Sequence, residues 1–396
     1  MKIINKIKGA NMKSYFNRNA AILFLVISVF GVFFLGCTED AFKATTTAYL
    51  SAENKRKAEA VIDKYMADRK IPAAIFGVWT SEGEMKLVKG KSDVAAGADA
   101  RLTDRFRIAS VTKTFTATLA LMLIDQKKLG LEDLLSKFYP GVKNADKITI
   151  RKLLNHTSGI KSYTTLNEFD KYVKTEPLKK WSTDELLKMV EGTDPLFEPG
   201  EGYEYSNSNY LLLGLIIEKV SGNKYADLLK NNITTPLGMT DTYYAVDPLI
   251  EGSHFHGYDG TSDVSLFDPS GPNFAGAIVS TLADLKKWCD AFSEGKLLSK
   301  ELREESNKYV VQKPYPMSGY GLGMMVWGTF TGHSGLIRGN CTVMFHHHDP
   351  ELTIIGMYPM CADNLNLATE YTFNEISDIF LPGEYKATIK ADKLVP

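Results

Sequence analysis

The stretch FRIASVTKTF, Phe106–Phe115, places Ser110 and Lys113 three residues apart. Three more Ser-x-x-Lys pairs occur, at Ser158/Lys161, Ser221/Lys224 and Ser293/Lys296, and each of those carries a glycine inside the spacing. Glycine there marks a turn and leaves the two side chains unaligned. From Ser110 to Lys128 neither Gly nor Pro appears. Thr112, Thr114, Thr116 and Thr118 alternate as in a strand, but the run is too long for one. Apolar on nearly all sides, it predicts a buried helix. On a helix, residues i and i+3 share a face with Cβ atoms about 5–6 Å apart, so Ser110 Oγ can meet Lys113 Nζ. A serine hydroxyl is a weak nucleophile until a base takes its proton. Lysine is that base only when neutral, and burial or a helix N-terminus lowers its pKa. The same helix start aims backbone N–H groups at a developing oxyanion. On spacing alone, an N-cap serine with a lysine reaching to solvent fits equally well.

Outward from this stretch the pattern alternates. Residues 51–69 predict a helix directing Ala58, Val61, Ile62, Tyr65 and Met66 to a core. IPAAIFGVWTSEGEMKLVKGKSD predicts two strands joined at Ser81-Glu82-Gly83. Residues 130–270 carry helical stretches with loops at Pro140-Gly141, Ser158-Gly159 and Pro199-Gly200. Thr281, three before Asp284, opens a helix in the manner of a capping box. YGLGMMVW, TGHSGL, NCTVMF and ELTIIGMYP then read as strands, and a last helix covers roughly Leu365 to Phe380. The ends of the chain supply strands and the middle supplies helices, as in one α/β unit with a helical insertion.

Two further clusters carry chemistry. Tyr205-Ser206-Asn207, in PGEGYEYSNSNY, offers a tyrosine to relay a proton and an amide to bond lysine or substrate. By itself it is also an ordinary polar turn before an apolar helix. His333-Ser334-Gly335, in TGHSGLIRGN, offers a histidine to donate or shuttle protons and a glycine that lets a substrate backbone approach. By itself it is also an edge-strand histidine.

In this order, Ser-x-x-Lys, Tyr-x-Asn and His-Ser-Gly resemble the motif set of the serine β-lactamase and penicillin-binding protein superfamily, in its class C β-lactamase and D,D-carboxypeptidase branch. ITIRKLLNHTSGI (148–160), Pro199-Gly200, AGAIVSTLADLKKW (275–288) and YGLGMMVW (320–327) extend the likeness over about residues 55–380. The resemblance implies an α/β/α sandwich with a mostly antiparallel sheet plus a helical insertion domain. Its expected bounds are 51–110 and 271–385 for the sandwich and 111–270 for the helical part. It implies an acyl-enzyme on Ser110, with Lys113 and Tyr205 sharing the base and acid roles and Asn207 orienting Lys113 and substrate. His333 stands where the branch has lysine or histidine. The backbone N–H groups of Ser110 and Leu336 would form the oxyanion hole, with Ser334 and Gly335 beside the substrate. Two departures bear on the substrate: histidine in place of lysine at 333, which the family uses more among peptidases and esterases, and Leu336-Ile337-Arg338 where small residues are usual. Arg338 becomes a candidate for a substrate carboxylate, with an ordinary surface arginine as the alternative. Expected substrates are an acyl-D-Ala-D-Ala peptide, an ester or a β-lactam. The competing expectations are a class C-type β-lactamase and a slowly deacylating penicillin-binding sensor or scaffold. No cofactor or metal is implied, and a monomer is expected.

Composition agrees with a globular enzyme: 396 residues, 44% hydrophobic and 23% charged. Residues 1–36 hold five of the 46 basic residues and no acidic ones, so the remainder has 41 basic against 47 acidic residues. That mildly acidic body gives no reason to expect nucleic acid. The basic start precedes the uncharged run Ala20–Gly36, the layout of an export signal. Phe34-Leu35-Gly36-Cys37 resembles a bacterial lipoprotein cleavage box, with Cys37 lipidated and 37–50 a tether. An uncleaved membrane anchor is the alternative; either one exports the body and holds it at a membrane. Cys289, Cys341 and Cys361 show no metal pattern and no dense disulfide framework, which leaves room for one bridge at most. HDPEL (348–352), between two strand-like runs, reads as a hairpin turn with exposed histidines, so His346-His347-His348-Asp349 is not read as a metal site. His156 reads as a loop tie, and His254 and His256 as a weak candidate for the substrate rim.

Overall fold

Helix α1 (Ala52–Arg69) buries Ala58, Ile62 and Tyr65, the stripe its apolar spacing predicts; Val61 and Met66 are half-buried. A computed structural model describes residues 49–360 and 367–395. The export segment, Cys37 and most of the tether lie outside the described residues, as does Cys361. After α1, β1 (Ala73–Thr80) and β2 (Gly83–Asp93) form the expected hairpin, with short β3 (Ala98–Asp99) at the edge. The second half contributes β4 (Val310–Gln312), β5 (Tyr315–Tyr320), β6 (Met325–Trp327), β7 (Phe330–Ile337), β8 (Asn340–His348) and β9 (Glu351–Tyr358). Among the described residues these make a nine-stranded sheet in the order β3-β2-β1-β9-β8-β7-β6-β5-β4, with every pair antiparallel.

Both faces of the central strands are covered, so they read as continuous apolar runs. On one face Ile75 pairs with Met357 and Ile355 with Met344. These side chains join the core that holds Trp288 of α5 (Leu282–Ser293). On the other, Phe76 meets Tyr358 edge-on at 5.0 Å, and Phe345 lies 4.8 Å from Phe373 of α6 (Ala368–Phe380). The result is the helix–sheet–helix layering expected from the sequence. Between the two groups of strands lie α2 (Thr112–Asp125), α3 (Asn167–Thr175) and α4 (Asn207–Ser221). Residues from Ala52 onward form one compact unit.

Helix α2 settles the strand-or-helix ambiguity. Thr112–Leu121 are all buried, as a helix apolar all round must be. The alternating threonines fit because their hydroxyls bond back to the helix itself: Thr114 Oγ1 donates to Val111 O at 2.7 Å and Thr118 Oγ1 to Thr114 O at 2.9 Å. The α-helix runs from Thr112 to Asp125, shorter at both ends than expected, and Ser110 sits before it in a 3-10 turn, Ala109–Val111.

Two expectations are corrected. YGLGMMVW is not one strand: Gly321 N bonds Met324 O at 2.8 Å and Gly323 takes φ +92°, so β5 and β6 fold back on each other. Nor are His346 and His347 exposed, although the hairpin turn falls within HDPEL, at Asp349-Pro350, and His348 is exposed. Strand β8 continues through His348 and alternates them between its buried faces. His346 Nδ1 lies 2.9 Å from Thr353 Oγ1, and His347 Nδ1 lies 2.7 Å from Pro350 O.

Candidate active site

The turn bearing Ser110 is fixed by main-chain pairing. Phe106–Arg107 pairs with Ile278–Ser280, Ile108 N donates to Ile278 O at 3.0 Å, and Ile278 N donates to Thr112 Oγ1 at 3.1 Å. Ala109, just before Ser110, takes φ +50°. This left-handed conformation is uncommon for a residue with a side chain and clusters at functional sites. Strand β7 passes directly over it. A Cβ at Gly335 would collide with Ile108 O and lie 3.1 Å from Ser110 N. Gly335→Ala must therefore displace β7 or the Ser110 turn. We expect it to slow covalent labelling of Ser110 by about 100-fold, since a displacement of about 1 Å can cost that much; labelling at the wild-type rate would show that the strand relaxes freely.

Strand β6 pairs with β7 only at Phe330, Thr331 and Gly332. Beyond that point His333–Ile337 present an edge without a β6 partner, beside Ser110.

Lys113 is fully buried, its Nζ 3.0 Å from Ser110 Oγ and 2.9 Å from Ala275 O. It packs 4.8 Å from the Tyr205 ring centroid and 5.5 Å from that of Tyr210. Burial pushes the amine well below the usual lysine range. Tyr205 Oη is buried, and burial raises its pKa, partly offset by the nearby Ser110 hydroxyl. It has no hydrogen bond of full geometry among the described residues. His333 is fully buried, and desolvation, with a smaller effect from Lys113, holds it down at about 3. His156 is likewise driven well below its ordinary value by burial, then by Lys113 and His333. Four titratable groups thus cluster about the Ser110–Lys113 pair, burial favours the neutral form of each, and no carboxylate contributes to these shifts.

The other candidates sort themselves by contact. Asn207 lies at the cavity wall, but its Nδ2 donates to Thr164 Oγ1 at 2.9 Å; the group bonded to Lys113 beyond Ser110 is the Ala275 carbonyl. His333 directs Nδ1 to Ser334 O, and Nε2 lies 2.9 Å from Tyr320 Oη. Since a carbonyl only accepts, Nδ1 carries the proton and Nε2 accepts from Tyr320. Both nitrogens are engaged within the protein. Ser334 alternates to the opposite face of β7, where its hydroxyl donates to Met325 Sδ at 3.6 Å and meets the Glu370 carboxyl. Leu336 is 44% exposed, and with Ile337 and Arg338 it lines the cavity. Arg338 Nη1 donates to Val173 O at 2.6 Å, tying the turn after β7 to α3. His254 and His256 lie away from the cavity wall: their rings stack at 5.2 Å, and His256 Nδ1 is 2.7 Å from Asp263 Oδ2.

Ser110 opens into a cavity of ≈ 230 Å³ walled by Phe169, Val173, Trp181, Phe267 and Leu336. For scale, a dry cavity of about 150 Å³ holds benzene. Lys179 stands at its rim, 3.9 Å from the Tyr172 ring and 3.7 Å from Trp181. Sequence reasoning did not find Ala275, Tyr320 or the aromatic wall. A main-chain carbonyl has no residue-type signal, and the wall is assembled from segments nearly a hundred residues apart.

The family model for Beta-lactamase matches residues 58–358. Among curated relatives, the chain is 31% identical over 275 residues to penicillin-binding protein 4* of Bacillus subtilis (strain 168). That match covers 63% of this chain and 59% of that protein, so the chain spans less than two thirds of that relative's length. Among solved structures, it is similar to a D-stereospecific amidohydrolase from Streptomyces sp., with TM-score 0.72 and 29% identity over 83% of this chain and 98% of that one. It is also similar to an octameric penicillin-binding protein homologue from Pyrococcus abyssi, with TM-score 0.68 and 26% identity over 76% and 73% of the two chains.

Proposed function

This chain belongs to the beta-lactamase family, and from that premise we propose that it is a serine hydrolase that opens amide or ester bonds through an acyl-enzyme on Ser110. The observation that carries this reading is the 3.0 Å approach of Ser110 Oγ, on the wall of the cavity, to the fully buried Lys113 amine behind it. Neutral Lys113 takes the Ser110 proton as Oγ bonds to the substrate carbonyl carbon. The carbonyl oxygen becomes an oxyanion between the N–H groups of Ser110 and Leu336. The carbon–nitrogen or carbon–oxygen bond breaks, and the leaving group takes a proton through Tyr205. Water then attacks the acyl carbon, and Oγ recovers a proton as the acid is released.

The substrate class follows from the walls. An aromatic and aliphatic cavity suits an apolar acyl side chain. Uncharged His333 supplies no cation of the kind a third-motif lysine would offer. Together with the likeness to a D-stereospecific amidohydrolase, this favours D-configured amides or peptides over β-lactams. Arg338 remains the candidate for a substrate carboxylate. The export signal and Cys37 anchor, outside the described residues, would place this chemistry on the cell-envelope side.

A panel of D-phenylalanine amide, an acyl-D-Ala-D-Ala peptide, p-nitrophenyl butyrate and a chromogenic cephalosporin tests the proposal. Turnover of an amide or ester with kcat/KM above that for the cephalosporin is expected. A cephalosporin preference would make the protein a β-lactamase, and stable labelling of Ser110 without turnover would make it a sensor. Arg338→Ala is expected to lower kcat/KM for the D-Ala-D-Ala peptide about tenfold, the scale of one hydrogen bond to a charged group. D-phenylalanine amide, which lacks the carboxylate, should stay within about twofold; equal losses would remove the assignment.

A further inference from the structure

We propose that His156 is the positioning residue for Tyr205, holding the phenol beside Ser110 from both sides of its backbone. This inference rests on the acyl-enzyme reading above. Glu204 N, immediately before Tyr205, donates to His156 O at 3.1 Å. Ser206 N, immediately after it, donates to His156 Nδ1 at 3.2 Å. One residue therefore grips the chain on either side of the phenol, using its main chain for one bond and its ring for the other. The ring also lies 4.5 Å from the Tyr205 ring, with Tyr210 at 5.2 Å and Tyr320 at 4.5 Å enclosing it.

The grip sets a proton requirement. A backbone N–H only donates, so Nδ1 must present its lone pair and the proton must sit on Nε2. Asn209 Nδ2, 3.0 Å away, adds a second donor to Nδ1, and Asn209 Oδ1 is itself fixed by Ser158 Oγ at 2.7 Å. Protonated His156 would aim an N–H at the N–H of Ser206. Burial beside Lys113 and His333 opposes that charge. Nε2 has no hydrogen-bond partner among the described residues, so the function of the ring resides in Nδ1. His156 takes φ +62°, an uncommon conformation for a residue with a side chain. This strain brings its carbonyl and its ring to the same three-residue segment.

The test uses the full chain and a fluorophosphonate probe, with labelling of Ser110 followed by intact mass. Wild-type labelling is the control for the acyl-enzyme reading; if it fails, that reading falls and not merely this one. His156→Asn puts an acceptor oxygen near the Nδ1 position, whereas His156→Gln puts its amide near Nε2. The Gln variant is expected to label about 100-fold more slowly than wild type and the Asn variant within about tenfold of it. In a Tyr205→Phe background the two variants should label at equal rates, because the group being positioned is gone. Two outcomes would overturn the proposal: equal Asn and Gln rates while Tyr205 is present, or an undiminished difference between them in the Tyr205→Phe background. A third measurement needs no folded variant at position 156: the ring 15N spectrum of the wild-type protein, assigned by substituting the other six histidines. His156 must appear as the Nε2–H tautomer; an Nδ1–H tautomer or an imidazolium would end the argument.

Discussion

Ser110→Ala is expected to abolish covalent labelling by a fluorophosphonate and to lower hydrolysis of p-nitrophenyl butyrate by about 10⁴-fold or more. Removing a nucleophile forces the reaction through direct attack by water, leaving only binding and oxyanion stabilisation to help. The other hydroxyl at this cavity wall with a named bond is Thr164, and it is committed to Ser162 at 2.9 Å and Asn207 at 2.9 Å. Among the described residues neither of those bonds is to a lysine. Folding should be little affected, because Ser110 is half-exposed and loses only a small polar atom. Persistent labelling of a folded Ser110→Ala protein at one site would locate the nucleophile elsewhere.

Lys113→Met is expected to slow labelling by about 10²–10⁴-fold, the range for a lost general base, while making the protein more stable at pH 7. The stability sign follows from linkage. Folding lowers the Lys113 pKa below its ordinary value of 10.5. Below that ordinary value the unfolded chain binds a proton that the folded chain binds less readily, so wild-type stability rises with pH through this window. Methionine has similar length and no charge to desolvate. Its stability advantage over wild type should therefore be present at pH 7 and shrink as pH approaches 10.5. Loss of the bond to Ala275 O, worth about 1 kcal/mol net, opposes the gain; burying an amine without a counter-charge outweighs it. The wild-type labelling rate should rise with pH and level off well below 10.5, as the amine loses its proton. Thermal unfolding of both proteins across that range provides the check. A variant less stable than wild type at pH 7 would mean that Lys113 is buried as the ammonium ion.

Most of the architecture was legible because it depends on local periodicity. The α1 stripe, the β1–β2 hairpin and the glycine-free run of α2 each follow from spacing that a chain carries wherever it folds. The strand-like threonines of α2 were harder to read, since back-bonding to helix carbonyls leaves no mark in residue order. The exposure of His346 and His347 is hard to read for a related reason. They stand beside a polar turn, and only tertiary packing, such as that of His347 against Phe330, buries them.

Sequence by itself determined the identity and order of the chemical groups: Ser110 and Lys113 one helical turn apart, then Tyr205, then His333. It did so because the first pair is aligned by a single helix start, and the others by motif. Tertiary structure decided their states and partners. Burial among α2, the Ala275 segment and the Tyr205 turn pushes the Lys113 amine well below its ordinary range. His333 spends both nitrogens on Tyr320 and its own strand, Asn207 turns to Thr164, and His156 grips the backbone around Tyr205. Desolvation and hydrogen bonding depend on everything packed around a group, and for Asn207, His156 and Lys113 the bonded neighbours lie 43, 50 and 162 residues away in the chain. No local pattern encodes them.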